Sequence, residues 1–243
     1  MIYLYNRKKR IAIILSGIAL GFFINYIFPL GAKDYDHQFL LTFGYIGFRD
    51  YPLLIITFTK WIMPQILIVY FMGNYFEESI LTNLNMILSR TNKVKKLLMY
   101  SSINIFIITV IYCISLFVGS AIYSLIILGD FSISVEIIQQ MFVMMLYLYL
   151  VLLLINNISI IIKPAHAVFV VFLIEVVIFI LIKLSFDGFL NIASLHWFIP
   201  LRVLFYYNEK FCINNEPTGF LIILAIVIIF YLGSRIVEKR DVL

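Results

Sequence analysis

The chain has 243 residues, of which 63% are hydrophobic and 13% charged, with a formal net charge of +5. Its mean hydropathy is +1.05. A soluble domain carries about 45–50% apolar and about 25% charged residues, so a water-soluble fold of this length has no interior large enough for these side chains, and lipid must solvate the excess. Within lipid only helices and closed barrels satisfy every backbone group. The apolar runs here are long and unbroken, without the alternation of barrel strands. The expected fold is an all-α integral membrane protein in a single domain, 1–243.

A crossing needs roughly 20 apolar residues to span about 30 Å of hydrocarbon. Runs of that kind predict six transmembrane helices, at Ile11–Leu30, Leu53–Met72, Leu98–Ser120, Ile137–Ile160, Val168–Leu184 and Gly219–Ile236. The third run stays apolar to Leu128, which fits a long or tilted helix or a following interfacial turn. The first run follows Arg7, Lys8, Lys9 and Arg10, as a signal peptide would. Its apolar core is longer than a signal peptide's and no A-x-A site follows, so it is expected to be retained. The segment Ser185–Thr218 is too apolar for a solvated loop, with Leu195, Trp197, Phe198, Leu201 and Phe205. It is expected to form re-entrant or interfacial helices on the outer face, between spans five and six.

Lys and Arg placement sets the orientation. Twelve of the 18 cationic residues fall on one side of the six spans, among them Arg7–Arg10, Arg90, Lys93, Lys95, Lys163 and Arg240. Five fall on the other side (Lys33, Arg49, Lys183, Arg202 and Lys210), and Lys60 lies inside the second span. Both termini are therefore expected in the cytoplasm. The positive excess is assigned to cytoplasmic ends meeting the lipid bilayer, with no nucleic-acid partner. Cys113 lies in an apolar run and Cys212 in a polar loop, so no disulfide is expected. The abundance of Ile, Phe, Tyr, Asn and Lys points to a low-GC bacterium and its plasma membrane.

The inner loop 73–96 carries the clearest pattern outside the spans. Phe76, Ile80, Leu84, Ile87 and Leu88 recur at helical spacing, while Glu77, Glu78, Thr82 and Asn85 fall mostly elsewhere. Such a pattern predicts a short amphipathic helix at the membrane surface. It would either rest on lipid headgroups or dock into a cytoplasmic partner. Arg90, Lys95 and Lys96 follow it into the third span.

This layout resembles the permease subunits of type-2 ABC exporters. Those permeases have six spans, cytoplasmic ends and a coupling helix between spans two and three. Glu77 or Glu78, then Ser89–Arg90, then Lys95 or Lys96 match the family's acidic residue, polar step and lysine in order. The closing Glu238-Lys239-Arg240-Asp241 is similar to the family's basic pair and Asp after the last span. Two features depart from the family: only ten residues precede the first span, and the Gly-Thr step after the coupling-helix acid is absent. The resemblance implies a cytoplasmic coupling helix whose contacts with the ATPase come from Phe76, Glu77, Glu78, Ile80, Leu81, Leu84 and Arg90. It also implies a separate ABC ATPase subunit and a second permease copy or a paralogue. A short chain of this kind is similar to permeases that export amphipathic peptides, such as toxins and bacteriocins, or give immunity to them.

No G-x-x-x-x-G-K-[ST] phosphate loop, G-x-S-x-G or H-E-x-x-H occurs in the sequence, and His37, His166 and His196 have no metal-ligand spacing. The chain is therefore expected to be no enzyme and to hold no cofactor; ATP and Mg would belong to the partner ATPase. The Glu77-Glu78 pair lacks the Arg four residues on that a CAAX-type protease would need; Thr82 stands there. Ionisable groups at membrane depth point to function by default. Lys60 and Glu175 qualify, with Gln65, Gln139 and Asn156 as polar neighbours, and Lys183 near an outer end. Lys60 and Glu175 could pair inside the bundle, or Lys60 could snorkel; alternatively they form a proton or ion relay in a secondary transporter. A membrane-embedded immunity factor that moves nothing is the third class. Gly17 and Gly21 make a G-x-x-x-G on the first span, suited to dimer contact or to packing within one bundle.

Overall fold

The computed structural model describes residues 7–27, 51–78, 94–127, 129, 135–186 and 216–240. Its long elements are α1 (Arg7–Ile27), α2 (Tyr51–Met72), α3 (Val94–Ile127), α4 (Val135–Ser159), α5 (Pro164–Phe186) and α6 (Glu216–Arg240), and the described residues contain no strand. Five of these helices are long and apolar enough to cross a membrane, through Arg7–Tyr26, Leu98–Ile127, Ile137–Ser159, Pro164–Leu181 and Gly219–Ile236. The remaining apolar run forms α2, 22 residues long. The apolar outer segment expected to make re-entrant helices lies outside the described residues, apart from its two helical flanks.

The helices outrun the apolar windows at their charged ends. α1 begins at Arg7 and α6 continues to Arg240, because Lys and Arg stay helical where a span emerges among headgroups. α3 runs seven residues past the expected Ser120, to Ile127. Its stop signal is Gly129, which has a φ of 69° and returns its amide to the Ser124 carbonyl at 3.1 Å. That left-handed conformation suits glycine at a helix C-terminus. The turn from α4 to α5 is short. Pro164 opens α5, where its missing amide hydrogen costs nothing, and the Lys163 carbonyl takes the amides of His166 and Ala167.

α4 is the central helix. It packs against α2, α3, α5 and α6, and 61% of its span is buried against 17% for α6. Its consecutive residues Leu150 to Leu153 are all buried, as expected for a helix apolar on every side. The outward faces of α5 and α6 carry Phe169, Ile174, Phe220 and Val227, each exposed. Lipid solvates such side chains at no cost, which is why the sequence tolerates them.

α1 packs mainly on α3, at very short range. A Cβ on Gly17 would stand 2.8 Å from Ser115 Cβ, and one on Gly21 or Gly119 would run into the backbone of Leu116 or Ile18. Glycines at these points let the two backbones touch. Asn25, fully buried, closes the interface by donating to the Gly21 carbonyl at 2.8 Å and to Ser120 Oγ at 3.0 Å. Gly17 and Gly21 of the G-x-x-x-G motif both face α3 of the same chain.

α2 contains Pro64, which offers no amide hydrogen to the preceding turn. Tyr112 of α3 lies fully buried beside this point and donates its hydroxyl to the Pro64 carbonyl at 2.9 Å. This bond ties α3 to α2 at the proline itself.

Candidate functional site

α2 ends at Met72, and the chain turns through Gly73 and Asn74 before becoming helical again at residues 75–78. Gly73 sits against Val69 and Val168, with its amide on the Val69 carbonyl at 2.7 Å. Asn74 opens the new turn. Its carbonyl accepts the Glu78 amide at 3.0 Å and its side chain donates to Glu78 Oε1 at 2.9 Å. Phe76, Glu77 and Glu78 lie on this turn, and the rest of the stretch expected to form an amphipathic helix lies outside the described residues. Ile80, Leu81, Leu84 and Arg90 lie outside the described residues.

Three contacts tie this segment to the bundle. Phe76 is buried, and its amide donates to Asn156 Oδ1 of α4 at 2.9 Å. The same asparagine donates from Nδ2 to the carbonyls of Met72 and Leu152, both at 2.9 Å. One fully buried side chain therefore serves the last carbonyl of α2 and an early amide of the next helix. Those are the groups a break between helices leaves without helical partners. Asn104 of α3 donates to the buried Tyr75 hydroxyl at 3.2 Å. Burial pushes the Tyr75 phenol above its usual range, against the opposing Asn104 hydrogen bond and Arg10 charge. Lys9 of α1 pairs with Glu78 at 3.6 Å, with both side chains about half exposed. Glu77 is half-buried. The acidic segment and the basic start of α1 thus share one end of the bundle.

Asn157 extends the same layer. Its Nδ2 reaches the Ile229 carbonyl of α6 at 3.4 Å, and Gly233 leaves room for its amide group. A side chain at 233 would collide with it.

Two ionisable side chains lie inside the bundle. Lys60 is fully buried on α2 and Glu175 is buried on α5. Tyr147 Oη of α4 donates to Glu175 Oε1 at 2.8 Å. Tyr147 belongs to an aromatic group that joins α2, α4 and α5. Trp61 stacks on Tyr147 with centroids 5.7 Å apart, and Phe58 meets Phe179 at 4.4 Å. Gln65 turns back to the Trp61 carbonyl at 3.3 Å. The side chain of Lys183 lies outside the described residues.

No protein-family profile matches the chain, and neither a curated protein nor a solved structure matches it.

The sequence reading placed Asn156 among polar residues of a span but assigned it no task. Its partners are backbone groups, which carry no residue-type signature. Tyr147, Asn104 and Asn157 escaped notice for a related reason: single Tyr or Asn residues in apolar runs are common, and only the fold shows what they face. A usable signal was the doublet Asn156-Asn157, costly near the end of a span unless both are bonded.

Proposed function

We propose that the chain is the transmembrane subunit of a two-component, ATP-driven exporter similar to type-2 ABC exporters. The observation that carries this reading is the segment 73–78. It begins a new helix directly after α2, holds Phe76 buried and Glu78 exposed, and stands beside the basic residues that open α1. On this reading α2 is the second of six spans, and both termini are cytoplasmic. The coupling helix continues through Ile80, Leu81 and Leu84 to Arg90 and seats in a separate ABC ATPase.

Closure of the ATPase on ATP and Mg pushes this helix, and the push reaches the spans through the contacts of residues 72–78. Two permease copies, or this chain and a paralogue, enclose the path. Apolar walls rich in aromatic rings suit an amphipathic peptide cargo, so a toxin or bacteriocin is the proposed substrate class, in export or self-immunity at a bacterial plasma membrane.

A secondary transporter is the second reading. The buried Glu175, bonded to Tyr147 in the middle of α5, favours it, since intramembrane carboxylates mark proton and ion paths. Reconstitution in vesicles separates the two. With the partner ATPase, transport should need ATP and survive Glu175→Gln. Transport by vesicles holding this chain alone, driven by an ion gradient and abolished by Glu175→Gln, would overturn the exporter reading.

A further inference from the structure

The doublet Asn156-Asn157 stands where three moving parts of such a machine would meet. Asn156 is completely buried and spends its amide on three backbone groups: the Phe76 N–H, the Met72 carbonyl and the Leu152 carbonyl. The first two flank the break between α2 and the following helix, and the third belongs to α4 itself. A hinge needs backbone groups that can give up their partners, and here both sides of the break are held by one side chain. Asn157 is the next residue and points to a different neighbour, the Ile229 carbonyl of α6, with its amide group seated where Gly233 has no side chain.

We infer that Asn156 joins residues 72–78 and α4 into one mechanical unit, and that Asn157 separately fastens α6 to it. The inference deepens the exporter reading by naming where force enters the spans. Any push on the acidic segment displaces the central helix first, and α6 follows through a second, independent fastening. Asn156 is a positioning residue, since it acts through the segment it holds.

Pairs of spin labels test this on the chain alone, so the result stands apart from whether an ATPase is the partner. With Cys113 and Cys212 changed to Ala, one protein carries Glu77→Cys with Ile161→Cys, and a second carries Ile161→Cys with Leu232→Cys. Ile161 and Leu232 are exposed, and Glu77 is partly so. The first pair should give a narrow distance distribution. Asn156→Ala should broaden it by about twofold or more, as local opening frees the segment, and leave the second pair unchanged. Asn157→Ala should do the reverse. General loosening would broaden both pairs in either variant, and that result overturns the inference, as does an Asn156→Ala protein with an unchanged first pair. Should either variant fail to fold, the parent protein decides: a first-pair distribution already broad contradicts a locked unit, and a narrow one supports it.

Discussion

Replacing Glu77 and Glu78 together by Lys should uncouple ATP hydrolysis from export while leaving the chain folded in the membrane. The expected loss of transport is about tenfold or more, since reversing charges at a docking surface costs about 2–5 kcal/mol and each 1.4 kcal/mol is a factor of ten. The bundle itself loses little. The Lys9–Glu78 pair is half exposed on both sides, and such pairs contribute about 0–1 kcal/mol. The buried anchors, Phe76 on Asn156 and Tyr75 on Asn104, are untouched by the change. Measuring ATPase rate and cargo flux in the same vesicles checks this. Flux that stays at the parent level would remove these two carboxylates from the coupling surface.

Gly119→Leu should be among the most damaging single substitutions in the chain. The Cβ alone would strike the backbone of Ile18, and backbone cannot move aside as a flexible side chain can. Overpacking a tight interface costs about 1–3 kcal/mol even among side chains; here α1 must separate from α3, which also stretches the Asn25–Ser120 bond. Gly21→Leu should act alike, because its Cβ would meet the Leu116 carbonyl. Gly219→Ala is the control. Nothing lies within 4 Å of a Cβ there, and Ala is favoured over Gly in a helix by about 1 kcal/mol. Thermal unfolding in detergent, followed by size-exclusion chromatography, should show clear losses for the first two and none for the third. Equal melting of Gly119→Leu and the parent would refute the close α1–α3 contact.

These contrasts show what a membrane sequence discloses. The apolar runs became helices because lipid demands uninterrupted apolar length, a property visible residue by residue. Helix ends were less legible. The apolar window closed α1 and α6 where charge began, although Arg7–Arg10 and Lys239–Arg240 remain helical. α3 continues through Ser120 and Ser124 to Ile127, as the apolar run to Leu128 allowed. In the fold both are buried, and the stop comes at Gly129. The G-x-x-x-G of α1 announced a close contact without announcing its partner, since Ser115 and Gly119 lie about a hundred residues away. The amphipathic pattern from Phe76 located the candidate site. Its anchor, Asn156, stayed hidden because a side chain bonded to backbone leaves no complementary residue to find.

The central claim is that the segment after α2 faces the cytoplasm and is gripped by an ATP-driven partner. A single cysteine at position 77 in membrane vesicles tests both halves with one membrane-impermeant thiol reagent. The account predicts modification in inverted vesicles only, and slower modification once the ATPase subunit is bound. Modification in right-side-out vesicles, or a rate indifferent to the ATPase, would contradict it.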